Sequence, residues 1–241
     1  LWIWEEFQPG ASYMISADVA RGDGKDFSTF HIFNVENSDI VAEYQGKPAP
    51  DVFAEILYQT GKEYGGCMLV VENNSVGWGV LTKLEDMGYE KLYYSKKSSH
   101  EHVEAHLSES AGVIPGFTTS SKTRPLAISK LEELIRNKLI TIKSKRLFNE
   151  MKTFIWNNGR PQAMKKHNDD LIMACAIGCW VKETVYSTNQ RSVEYKKAFI
   201  NSMKSTNSEL NTSIPGMIAY REKEKKQNKK NYKDFIWLIK G

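Results

Sequence analysis

The sequence predicts an α/β fold built on a mixed central sheet. Tyr13 to Ala17 and Met68 to Val71 are short apolar runs of strand length, and the second, apolar throughout, marks a sheet centre. Longer stretches follow with apolar residues three and four apart, the spacing of amphipathic helices. The first three strand-like runs are separated by gaps of hairpin length, so an antiparallel unit comes before the helix–strand units.

Tyr13 to Ala17 is the first strand, Phe27 to Phe33 the second and Ile40 to Tyr44 the third. Gly22-Asp23-Gly24-Lys25-Asp26 is a turn between the first two. Pro48 and Pro50 end the unit, and a helix from Asp51 to about Glu63 turns Val52, Phe53, Ile56 and Leu57 inward. Gly65-Gly66 stops it before Met68 to Val71. Trp78 to Met87 is the next helix, and Leu92 to Tyr94 a short strand. Ser95 to Thr123 is polar and weakly patterned, as a long mobile loop or an inserted hairpin would be. Helices are expected over Arg124 to Lys138, from a Ser144 cap through Phe154, and from Asn168 to about Val185. A strand is expected over Leu139 to Ile142, and a hairpin turn at Asn157-Asn158-Gly159. Three antiparallel strands, helix, central strand, helix, strand and further helices is the ribonuclease H-like order. It places the first strand beside the one ending at Glu72.

Composition narrows the function classes. The chain has 241 residues, 41% hydrophobic and 26% charged, with a net charge of +4. That length sustains a core without disulfides. Three cysteines are too few for a disulfide framework; Cys175 and Cys179, four apart on an apolar helix, read as buried thiols that fit a reducing cytoplasm. No stretch reaches the roughly 18 apolar residues of a membrane span. The opening Leu1-Trp2-Ile3-Trp4-Glu5-Glu6-Phe7 is too apolar for a free tail, and the chain reads as a fragment of a longer protein. Ser187 to Pro215, rich in Ser, Thr and Asn, marks a linker, so residues 1–186 form the expected domain and 187–241 an extension. Arg221 to Gly241 holds eight Lys/Arg against three Asp/Glu, leaving the rest near neutral.

Three acidic stretches carry the chemistry. Asp18 ends the first strand, Glu72 ends the central one, and Asp169-Asp170 opens the last helix. Carboxylates at the ends of buried elements are costly unless compensated, and a hard divalent cation with oxygen ligands is the simplest compensation. Two such ions about 3.5–4 Å apart clamp a phosphodiester. Asp18 is then the bridging ligand, Glu72 a ligand to one ion, and Asp169 or Asp170 a ligand to the other. Taken singly, each has a plainer role: Asp18 or Glu72 as a turn former, Asp169 as a helix cap. Asp23 and Asp26 read as turn residues, with Asp26 within reach of the ions. The turn lacks the alternating acids of an EF-hand, and no G-x-x-x-x-G-K-[ST] loop occurs, so no ATP site is expected. His100, His102 and His106 match no closed zinc site and read as a solvated face. Lys25, Lys96, Lys97, Lys122, Arg124, Lys165 and Lys166 flank the acids and are candidate phosphate contacts. No interleaving of aromatic and basic residues points to base reading.

Several of these runs resemble one family. Trp2-Ile3-Trp4-Glu5-Glu6, Tyr13 to Ser28, Val70-Val71-Glu72-Asn73-Asn74-Ser75-Val76-Gly77, Arg124-Pro125-Leu126 and His167 to Ala174 look like the nuclease domain of large terminase subunits from tailed bacteriophages, the T-even-like group in particular. The resemblance spans roughly residues 1 to 185. It implies an endonuclease that cuts concatemeric viral DNA during headful packaging, using Mg2+ with Mn2+ able to substitute. Its ligands would be Asp18, Glu72 and the Asp169-Asp170 pair. The family pattern reads Gly-His-Asp-Asp, whereas this chain has His167-Asn168-Asp169-Asp170, so either aspartate can fill the ligand's place. Implied partners are double-stranded DNA, an N-terminal ATPase domain, the capsid portal and the small terminase subunit. The implied location is the host cytoplasm, with transient docking at the prohead portal. A Holliday-junction resolvase of the same fold, or a DNA-gripping or portal-docking module, are the alternatives.

Overall fold

The computed structural model describes residues 1–96 and 113–183, all within one compact unit spanning Leu1–Ser187. The His100–His106 cluster, Lys97 and the lysine-rich tail lie outside the described residues. The central sheet holds β1 (Trp2–Ile3), β2 (Tyr13–Asp18), β3 (Ser28–Asn34), β4 (Ile40–Gly46) and β5 (Met68–Val71) in the order β1-β4-β3-β2-β5. β2, β3 and β4 are antiparallel neighbours, and β5 joins β2 in parallel with Ala17 opposite Val71. This is the mixed sheet expected for a ribonuclease H-like fold.

Helices cover both faces, and the strands alternate accordingly. On one side Ile15, Ala17, Phe30, Ile32, Leu69 and Val71 pack against α1 (Pro50–Glu63) and α2 (Gly77–Asp86). On the other, Met14, Phe33 and Val70 pack against α3 (Thr123–Arg136), α4 (Lys145–Lys152) and α5, the helical residues 170–183. Because both faces are covered, all seven residues of β3 are buried, the polar ones included. Buried hydroxyls and imidazoles need partners, and α5 supplies them. Ser16 Oγ donates to the Ala174 carbonyl at 2.7 Å, Thr29 Oγ1 to the Asp170 carbonyl at 3.0 Å, and His31 Nε2 bonds the Leu171 carbonyl at 3.0 Å. These bonds fix the rotation and height of α5 on the sheet. Gly178 permits the close approach: a Cβ there would lie 2.3 Å from the Phe33 ring.

The expected inserted hairpin is present, but several other parts of the architecture depart from the sequence expectation. The opening apolar run forms edge strand β1, with Trp2 opposite Glu43 and the Arg146 guanidinium 5.2 Å from the Trp2 ring. Beyond β5, the last sheet position is divided. Leu92 bridges Leu69 and Phe117 bridges Glu72, both in parallel, while β6 (Tyr94–Lys96) and β7 (Val113–Pro115) pair as a hairpin inserted between them. Leu139 to Ile142 is irregular rather than a strand. Downstream, Ser144 caps α4 by accepting from the Leu147 N–H at 3.0 Å. β8 (Phe154–Asn157) and β9 (Arg160–Ala163) form a tight hairpin. Asn158 and Gly159 both take the positive φ that a two-residue turn requires, 49° and 74°.

Candidate active site

The parallel pairing of β2 and β5 decides where the first two carboxylates stand. With Ala17 opposite Val71, the next residues, Asp18 and Glu72, leave the sheet side by side, and the Glu72 N–H donates to the Ala17 carbonyl at 2.9 Å. Burial, then the Glu72 charge, then Asp170 and Asp169, push the Asp18 carboxyl well above its usual range. The chain turns sharply behind Glu72: a Cβ on Gly77 would lie 1.8 Å from the Glu72 carbonyl oxygen, so only glycine fits. Asn74 holds the acid from the front, its Nδ2 donating to Glu72 Oε1 at 3.1 Å and to the Thr119 carbonyl at 3.0 Å.

The third corner separates the adjacent aspartates. Asp169 caps α5, its carbonyl accepting from the Met173 N–H at 2.8 Å. Its carboxylate is ion-paired with Arg124 and accepts from the Ala163 N–H at 3.2 Å. Arg124 Nε also donates to the Pro161 carbonyl at 2.9 Å, so this guanidinium is committed to holding Asp169 and β9. Asp170 is 8% exposed. Its Oδ2 accepts from the Phe27 N–H at 2.8 Å and from Asn168 Nδ2 at 3.1 Å. Burial outweighs both bonds and raises its pKa to about 6, with Asp26 and Asp169 adding repulsion. Asp26 itself is exposed, and Asp23 is paired with Arg21.

Glu150 is the member that sequence reading did not single out. It comes from α4, and its Oε2 accepts from the Leu171 and Ile172 N–H groups at 3.0 and 3.2 Å, satisfying orphan donors at the start of α5. Burial nevertheless raises it to about 8, with Asp170 and Asp169 contributing. No local motif marks this role, because only the folded return of α4 brings Glu150 to the helix mouth.

Among the described residues no three acidic, imidazole or thiol side chains are set at ligating distance around one point. The donor chemistry nonetheless fits a hard cation. Glu72, Asp170 and Asp169 all repel Asp18 at one end of the sheet, while Arg124 pairs with Asp169 and Asn74 with Glu72. Of the candidate phosphate contacts, Lys25, Lys122, Lys165 and Lys166 are exposed. The Lys25 carbonyl accepts from Asn168 Nδ2 at 3.1 Å, which draws the turn after β2 to the mouth of α5. Lys96 lies on β6.

No family model matches the sequence. Solved structures do. The large terminase nuclease of thermophilic phage G20c with bound magnesium has a TM-score of 0.57 at 18% identity, over 73% of this chain and 85% of that one. The same nuclease with bound cobalt gives 0.57 at 17% identity over 73% and 85%. The nuclease domain of the Thermus phage P74-26 large terminase gives 0.55 at 18% identity, over 75% and 85%. The chain therefore has the ribonuclease H-like fold of large terminase nuclease domains.

Proposed function

We propose that this chain is a divalent-metal-dependent endodeoxyribonuclease that cuts concatemeric viral DNA during headful packaging. The observation that carries the reading is the meeting of Asp18 and Glu72, from adjacent parallel strands, with Asp170 at the mouth of α5. The G20c nuclease is solved with magnesium, cobalt and zinc bound, and we take Mg2+, with Mn2+ able to substitute, as the cofactor here. A bound divalent pair would supply an activated water and stabilise the leaving oxygen of the phosphodiester. Asp18, Glu72 and Asp170 would hold the ions, with Asp18 between its two neighbours. Asp169 would act through Arg124 and Ala163, keeping Asp170 at its height, and Asn74 would set the direction of Glu72. Lys25, Lys122, Lys165 and Lys166 would meet phosphates around the acids, making affinity salt-dependent. Double-stranded DNA is the proposed substrate. An ATPase domain, the capsid portal and the small terminase subunit are the proposed partners, at a prohead portal in the host cytoplasm. A boundary near residue 186 would divide nuclease from extension. Among the described residues no helix is long and apolar enough to cross a membrane.

The test uses supercoiled plasmid with the full chain, in Mg2+ or in EDTA, beside Asp18→Asn and Glu72→Gln. Nicked and linear products should form only with metal and only with the unaltered chain. Cleavage by either variant at the unaltered rate would sink the assignment.

A further inference from the structure

Between Glu150 and Asp169 the chain carries Lys152, Arg160, Lys165 and Lys166 and no acidic residue. This segment folds into the β8–β9 hairpin and the turn that leads into α5. In the hairpin register Trp156 stands opposite Pro161, and Asn157 opposite Arg160. Pro161 is buried, yet Trp156 is 52% exposed, Ile155 40% and Met164 47%. A large aromatic ring half in water, on a segment whose charged side chains are all basic, adds little to the core. It does offer a flat apolar face to a polyanion.

The hairpin is tied to the acidic cluster at its base. Ala163 donates to Asp169, and Pro161 accepts from Arg124. Trp156, opposite Pro161, stands two residues further along the ladder from Ala163. That is about 7 Å, the rise of about two nucleotides. A strand lying across the acids and along the hairpin would reach the indole within that distance.

Resting on the nuclease reading above, we propose that the β8–β9 hairpin is a strand-holding finger. Trp156 stacks on a base about two nucleotides from the scissile phosphate, and Arg160 pairs with a backbone phosphate. Stacked duplex hides its base faces, so the favoured substrate class is DNA with locally unpaired bases at the cut. The absence of acids from the segment favours nucleic acid over a protein partner.

The test measures equilibrium binding of the full 241-residue chain, in EDTA, to a labelled duplex and to the same duplex with a short unpaired bubble. Trp156→Ala should weaken bubble binding about tenfold and duplex binding less than about twofold, with Trp156→Phe restoring most of the loss. Arg160→Gln should weaken both alike and make the salt dependence shallower by about one ion. Unchanged bubble affinity in Trp156→Ala, an equal loss on both DNAs, or no binding to either would overturn the finger. Because nothing is cut in EDTA, failure of the nuclease reading is seen separately. An unaltered chain that binds with Trp156-dependent preference but cuts neither DNA in Mg2+ would refute catalysis and support the finger.

Discussion

At the residue scale, neighbouring aspartates with one charge differ because their partners differ. Asp169 has a guanidinium; Asp170 has an amide, a backbone N–H and burial. A raised carboxyl pKa means the folded state favours the protonated form. The stability it contributes is intact below the unfolded value and is lost as pH rises through the folded one. For Asp170 the window runs from about 4 to about 6. Above it the ionised side chain costs on the order of 3 kcal/mol. Asp170→Asn removes that cost and keeps an acceptor for Phe27. In EDTA it should melt higher than the parent at pH 8 and level with it at pH 4, while cleavage falls on the order of a hundredfold. Asp169→Asn should melt lower at pH 8, because Arg124 is left unpaired. Identical melting curves for the two variants would refute the division of roles.

At the element scale, the position of α5 decides whether the third corner meets the other two. Gly178→Ala gains about 1 kcal/mol of helix propensity. It also drives a Cβ to 2.3 Å from the Phe33 ring and 2.9 Å from the Ser16 Cβ, and neither neighbour is the free end of a flexible chain. Overpacking of this kind costs about 1–3 kcal/mol, so the clash should win and lower the melting temperature by roughly 3–6 °C. An unchanged midpoint would mean the helix sits further from the sheet. Glu150 acts on the same helix from the other end. Its pKa of about 8 widens the window of stability loss to between about 4.5 and about 8, by the same sign. Glu150→Gln should be near neutral at pH 4 and increasingly stabilising up to about pH 8 in thermal melts. These contacts also show what the sequence made legible. Asp18, Glu72 and the order of β2 to β5 followed from apolar runs that end in acids, since a buried strand announces itself locally. The roles of Glu150 and Asn74, and the divided strand at Leu92 and Phe117, rest on long-range pairings that no window contains. β1 was half legible: its apolarity excluded a free tail, but its partner β4 could not be read from two residues.

At the scale of the whole molecule, the acidic cluster is a stability deficit that a bound cation would remove. Asp18, Asp170 and Glu150 are all raised, chiefly by burial, so the metal-free fold retains protons that the free side chains would have released. A cation that binds Asp18, Glu72 and Asp170 must displace protons from Asp18 and Asp170, and binding and proton release are then linked. Mg2+ should stabilise the chain by about 2.7 kcal/mol at a hundred times its dissociation constant. Its affinity should rise with pH through about 6 as Asp170 ionises, and go on rising while Asp18 keeps its proton. Calorimetric titration in two buffers of different ionisation enthalpy reads the protons directly. Near pH 5.5 the heats should differ between buffers, and the difference should shrink in Asp170→Asn and in Asp18→Asn. Equal heats in both buffers, with Mg2+ bound, would show that the cation sits away from these carboxylates. The cluster would then need another explanation for its burial.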